Sequence, residues 1–172
     1  FGFCLEVWGD FACFTRPELK VERMSYDVIT PSAARAIYSC ILWKPRLAWV
    51  IERIEVLSPI RFISIRRNEV GALAPKDPLA VINLTAKGVR AQRGSLMLRN
   101  VRYRIYAHFD FLRKPHEALP QEETPAKYAA MFERRANKGQ CFRRPYLGCR
   151  ECSADFKLIQ PADENPVPPI AE

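Results

Sequence analysis

The sequence predicts an α+β fold, one antiparallel sheet with helices on one of its faces. Three observations carry this expectation. Residues 101–111 alternate strictly between apolar and polar side chains, which gives a strand with one covered face and one open face. Two Thr-Pro pairs each open a run with apolar residues at helical spacing. Runs rich in Val, Ile, Leu and aromatics stand between and around these helices.

Taken in order, Phe3 to Trp8 is aromatic and aliphatic, and Gly9-Asp10 ends it as a first strand. Phe11 to Thr15 adds two aromatics before the mixed-charge stretch Arg16 to Arg23. Thr30 is an N-cap with Pro31 at the first helical position. The helix over Ala33 to Trp43 then carries Ala34, Ile37, Tyr38, Ile41 and Leu42 on one side, and Pro45 stops it. Leu47 to Leu57 reads as a strand buried on both faces, and Ile60 to Ile65 as another after Pro59. Arg66-Arg67-Asn68-Glu69 is read as the turn that opens a long hairpin or loop reaching about Arg99, with Pro75, Pro78, Gly71, Gly88 and Gly94 inside it. In the alternating strand, Arg102, Arg104, Tyr106, His108 and Asp110 form the open row. That row suits stacking and phosphate contact on single-stranded RNA, though taken alone it reads first as a solvated sheet face, which needs polar residues anyway. Thr124-Pro125 starts a second helix, Ala126 to Lys138, which Gly139 closes. Lys127, Arg134 and Lys138 fall on one stripe of it, and Arg143, Arg144 and Arg150 follow closely. Ala154 to Ile159 is a last short strand. The resulting order is strand, helix, strand, strand, long excursion, strand, helix, strand, which fits a ferredoxin-like or RNA-recognition-motif arrangement.

The chain has 172 residues, enough for one domain with a self-sufficient core. Residues 1–160 are expected to form it, with 70–100 as the inserted hairpin or loop and 161–172 as a proline-rich tail. No apolar run is long enough to span a membrane, and no secretory signal is evident, so a cytoplasmic location is expected. The formal net charge is +8, a balance that points to a polyanion, most often nucleic acid. The excess is mostly arginine, which pairs phosphate bidentately and stacks on bases. Six cysteines are expected to be free thiols in that compartment. Cys149 and Cys152 have CxxC spacing, but zinc needs two more ligands at suitable spacing, so no metal and no cofactor are expected.

Several stretches go further than composition. They are Leu5–Pro17 (LEVWGDFACFTRP), Lys20–Arg35 (KVERMSYDVITPSAAR), Trp43-Lys44-Pro45, Ile65–Val70 (IRRNEV), Ala91-Gln92-Arg93, Ala107-His108-Phe109 and Pro145–Glu151 (PYLGCRE). Together, from about residue 3 to 160, they resemble the CRISPR-associated Cas proteins of family five, subtype I-C, of the RAMP group. The resemblance implies a ferredoxin-like core with an added hairpin, and members that continue past the tail with a further strand-forming segment. It implies metal-independent cleavage of precursor CRISPR RNA at the base of the repeat hairpin, leaving a 2′,3′-cyclic phosphate. It also implies retention on the 5′ handle of the mature guide inside the Cascade complex, beside the backbone and large subunits. Target DNA would be met only through that complex, and no membrane is involved.

By the same resemblance, Lys127 matches the lysine of a lysine-histidine pair at the start of the second helix. Tyr128 stands at the histidine position. Leu42 stands where members carry a tyrosine or histidine before Trp-Lys-Pro. Tyr38, four residues earlier, is a candidate to substitute, as is Tyr26. The expected RNA contacts are Phe11, Phe14, Arg16, Lys20, Arg23, Tyr26, Lys44, Arg66, Arg67, Asn68, Arg93, Arg102, Arg104, His108, Arg134, Arg143 and Arg150. Two rival readings stand beside the nuclease: a non-catalytic scaffold that holds the guide's 5′ handle, and a basic protein-interaction module without RNA.

Overall fold

The longest element organises the rest. In the computed structural model, which describes residues 2–73, 75–77, 79–85, 88–112 and 124–160, a 22-residue strand runs over Arg90–Phe111. In chain order the elements are β1 (Gly2–Ala12), β2 (Arg23–Met24), α1 (Pro31–Ile41), β3 (Leu47–Val56), β4 (Phe62–Val70), that long strand β5, α2 (Pro125–Asn137) and β6 (Asp155–Ile159). The C-terminal half of β5 lies between β1 and β3 and is antiparallel to both. β6 pairs antiparallel with the far edge of β1. The spatial order is therefore β6-β1-β5-β3. The N-terminal part of β5 pairs with β4, Phe62 opposite Leu98 through Val70 opposite Arg90. The two-residue β2 adds a short parallel pairing at Ser95 and Leu96.

Both helices begin as the sequence expects. Thr30 accepts from the Ala33 amide at 3.3 Å, and Thr124 accepts from the Lys127 amide at 3.2 Å. Each hydroxyl satisfies one of the amides a helix start leaves open, and each proline occupies a position that needs no amide. Gly139 follows α2 with φ +64, a conformation that costs a glycine little. The covered face of the sheet holds Phe3, Leu5, Val7, Tyr103, Ile105, Ala107 and Phe109 against the helices. At its centre the ring centroids of Phe3 and Phe132 are 4.7 Å apart, and those of Trp49 with Tyr38 and with Phe132 are each 4.8 Å apart. Such aromatic pairs add ~0.5–1.5 kcal/mol each beyond the area they bury. The Trp49 indole donates to the Leu42 carbonyl at 2.8 Å, so burial strands no polar group there.

Three expectations need correction. Residues 66–70 do not form a turn; they continue β4, because the alternation of Ile63, Ile65, Arg67 and Glu69 on one face matches β5 rung for rung. The excursion is thus a two-stranded ribbon over 62–70 and 90–98 joined through 71–89, and residues 90–100 belong to β5. β3 is not buried on both faces: Val50, Glu52 and Arg53 are exposed, and the pairing with β5 shifts between Ile51 and Arg53. An antiparallel sheet covered on one side requires that openness. The tail, residues 161–172, lies outside the described residues. Among the described residues no helix is long and apolar enough to cross a membrane.

Candidate functional site

Lys127 is exposed on the first turn of α2, where its amide is held by the Thr124 cap. The turn that leaves α1, residues 42–46, is fixed alongside this helix at both of its ends. At one end the Arg135 guanidinium donates to the Ile41 carbonyl at 3.0 Å, and the Phe142 amide donates to the Cys40 carbonyl at 2.7 Å. At the other end the Leu112 amide donates to the Arg46 carbonyl at 2.8 Å, next to Phe111, whose ring lies 5.6 Å from that of Tyr128. The Trp43-Lys44-Pro45 element therefore runs along α2, and Lys127 and Arg134 on the helix with Lys138 at its C-cap line one stripe over about 16 Å. Between the turn and the C-terminal end of α2 lies a groove of about 510 Å³, lined by Ser39, Cys40, Trp43, Lys44, Pro45, Arg135, Phe142 and Arg143.

The structure removes two of the three expected catalytic groups from this surface. Tyr38 is wholly buried, with its hydroxyl donating to the carbonyls of Ile105 at 2.7 Å and Phe3 at 3.2 Å. Burial pushes that phenol well above its ordinary range, so it is a core aromatic and not a proton carrier. Tyr128 is 6% exposed and packs within the core against Phe111. Leu42 is buried as well. Lys127 alone keeps the accessible position expected of it.

The open face of the sheet also differs from expectation. Arg102 donates through Nε to Glu6 at 2.8 Å, and Arg104 lies 3.5 Å from Glu6 and 3.7 Å from Glu55. Arg104 is buried. His108 sits 2.7 Å from Glu52 and 3.5 Å from Asp110. Carboxylates from β1, β3 and β5 thus offset much of the positive charge of a row that reads as basic in the sequence. On the ribbon, Arg67 bonds Glu151 and donates to Ser95 at 3.0 Å, Arg93 pairs with Glu69 at 3.5 Å, and Asn68 accepts from Gln92 at 3.3 Å. Arg66 is exposed on the same face as Asn68, opposite that of Arg67.

The segment after β1 divides in the same way. Phe11 is exposed, while Phe14 is 3% exposed with its ring 6.3 Å from that of Tyr103, so it belongs to the core and offers no stacking surface. Arg16 lies 3.6 Å from Asp27 and over the exposed Tyr26 ring at 5.2 Å. Lys20 is exposed. Arg23 lies 3.1 Å from Glu151 and 3.5 Å from the Cys149 sulfur. That sulfur is 3.8 Å from the Thr15 hydroxyl, which is 3.6 Å from Cys13. The Cys13 thiol, helped by Thr15 and Arg23, lowers Cys149 to about 6 against the contrary pull of burial. All six cysteines are free. Arg134, Arg143 and Arg150 are exposed, Arg143 over the Tyr146 ring at 5.6 Å.

Sequence reasoning missed Trp43, Arg135 and Phe142 as groove residues, and Glu6, Glu55 and Glu151 as neutralising partners. Trp43 and Phe142 carried a signal, each being a large aromatic followed directly by a cation. The carboxylates did not, because their arginines lie 84 or more positions away for Glu151 with Arg67 and 96 for Glu6 with Arg102.

The chain is 47% identical over 177 aligned positions to the CRISPR pre-crRNA endoribonuclease Cas5d of Mannheimia succiniciproducens, covering 98% of this chain and 77% of that protein. It is 44% identical over 152 positions to the protein of the same name from Thermus thermophilus, covering 88% of this chain and 62% of the relative. A solved structure described as a CRISPR-associated protein superposes with a TM-score of 0.66 at 25% identity, over 95% of this chain and 69% of the other. Residues 2–170 match the family described as CRISPR-associated protein (Cas_Cas5), and the chain belongs to that family.

Proposed function

We propose that this chain is a precursor-CRISPR-RNA endoribonuclease that cuts at the base of the repeat hairpin and stays on the 5′ handle of the guide within a Cascade complex, beside its backbone and large subunits. We read residues 1–160 as one ferredoxin-like domain, since β1-α1-β3-β5-α2-β6 follows that element order and β6-β1-β5-β3 its strand order. The observation that carries the function is the pair of relatives named as such nucleases, joined to an exposed Lys127 at the matching position.

The chemistry follows from the substrate. The 2′-oxygen attacks the adjacent phosphorus, the bond to the 5′-oxygen breaks, and a 2′,3′-cyclic phosphate forms. The proton of the 2′-hydroxyl passes to water or hydroxide, and the departing 5′-oxygen takes one from water. Lys127 supplies positive charge to the phosphorane, and the stripe through Arg134 and Lys138 holds flanking phosphates. A scaffold without cleavage has one observation in its favour: Tyr38, Leu42 and Tyr128 bring no proton donor to the surface.

The test is incubation of the purified chain with its cognate repeat RNA in EDTA. Cleavage at the hairpin base with a cyclic phosphate end, slowed about a hundredfold or more in Lys127→Ala, supports the nuclease. Tight binding with intact RNA would assign the scaffold, and no binding at low salt would remove both.

A further inference from the structure

The groove beside Trp43 has a composition unusual for solvent-facing surface. Trp43 is 61% exposed and Phe142 is 86% exposed, and both border the same 510 Å³ space. An exposed indole and an exposed phenyl ring on one groove are apolar surface that water would not favour. Neither ring is needed to complete the core, which closes over Trp49, Phe3 and Phe132 beneath. The other lining side chains include three cations, Lys44, Arg135 and Arg143, and no carboxylate. The C-terminal carbonyls of α1 would normally repel an anion here. Two of them are already occupied, Ile41 by Arg135 and Cys40 by the Phe142 amide.

Flat aromatic faces and surrounding positive charge together describe one kind of occupant, a nucleotide taken out of its stack. The base has a π-face for the rings, and its phosphate has the cations. The volume falls within the range of small-ligand sites. We propose that this groove is a slot for one unstacked RNA nucleotide, with Trp43 and Phe142 as the stacking surfaces and Lys44 and Arg143 as the phosphate contacts. The proposal rests on the nuclease reading for its substrate, and it names the place where a base leaves the duplex or the strand end. It makes Trp43 and Phe142 substrate-positioning residues, separate from the charge that Lys127 brings to phosphorus.

The experiment uses the full chain and cognate repeat RNAs carrying 2-aminopurine at one position at a time. In the unaltered protein one position, or two adjacent ones, is quenched on binding, and Trp43→Ala removes the quench. Trp43→Ala and Phe142→Ala each weaken RNA binding about tenfold, and Trp43→Phe restores most of it. Because both rings are exposed, their thermal midpoints stay at the parent value. Ile60→Ala, exposed but away from the groove, serves as the control for affinity. If the unaltered chain cleaves but no position is quenched and neither aromatic variant loses affinity, the slot is overturned and the nuclease stands. If a position is quenched through Trp43 but nothing is cleaved, the slot stands and the nuclease falls. If the variants lose only association with another protein subunit, the groove is a protein interface and the slot is overturned.

Discussion

The hydroxyl of Tyr38 donates to the carbonyl of Ile105 at 2.7 Å, tying α1 to the C-terminal half of β5 from beneath the sheet. The bond replaces water for both partners in a site with no solvent. Tyr38→Phe keeps the ring packing and removes the hydroxyl. It should cost ~1 kcal/mol in chemical denaturation while leaving repeat-RNA cleavage within about twofold of the parent. A hundredfold loss of cleavage in a folded variant would return Tyr38 to the chemistry.

Gly148 has φ +85, and a side chain there would place its first carbon 2.0 Å from the Cys13 carbonyl oxygen. The main chain of the 145–153 segment packs against the segment after β1 at this point, where the Cys13 amide donates to the Leu147 carbonyl at 3.0 Å. Gly148→Ala must push two backbones apart. A loss of ~3 kcal/mol or more is expected, combining strain with broken packing. Gly94, which has open space around it, is the control, and Gly94→Ala should change the midpoint little.

Cys149 is lowered to about 6 in the fold from an ordinary value of 9.0. Between those limits the folded chain carries a thiolate where the unfolded chain carries a thiol, so folding releases a proton and stability rises with pH. The contribution is complete above the unfolded value and is lost as pH falls through the folded one. Cys13, pushed up chiefly by its hydrogen bond to Cys149 and then by burial, and Cys152, raised to about 12 mainly by burial, act oppositely above pH 9. The thermal midpoint should rise by roughly a few degrees from pH 6 to 8.5, and Cys149→Ser should flatten that slope. Alkylation at pH 7 should mark Cys149 before the buried Cys13 and Cys152, and equal rates for all three would refute the assignment.

Glu6 stands between Arg102 and Arg104 with most of its side chain out of water. Glu6→Gln leaves Arg104 buried with less opposing charge, which should lower stability by ~1–3 kcal/mol. Repeat-RNA affinity at low salt should hold or rise slightly, because a carboxylate is gone and no cation is lost. A marked fall in affinity without unfolding would show that this face does meet RNA.

Local chemistry made much of this legible in advance. Thr30-Pro31 and Thr124-Pro125 announce their helices because capping depends on neighbours a few residues apart. The alternation through Val101, Tyr103, Ile105, Ala107 and Phe109 gives the covered face, since period two is a property of one strand. The strand bounds of the ribbon were hidden because glycines and prolines cluster in and around it, and because few of its outer residues, 66–70 and 90–94, are apolar. The charge balance of the open face was hidden for a different reason. Arg102 and Arg104 sit beside Glu6 and Glu55 only after β1, β3 and β5 align, and no window of sequence contains that alignment.

β5 belongs to two structures at once, crossing the core sheet and then forming one side of the ribbon as a single strand roughly 70 Å long. Ribbon length and core register are consequently geared together. Adding one residue to the paired part of β5 near Arg93 would turn a whole stretch of side chains inside out on one side of the insertion, whereas balanced additions of two to each ribbon strand would lengthen the arm and preserve every rung. Changes confined to 71–89 escape this constraint, so that connection is the natural place to vary the protein's reach while its body stays the same.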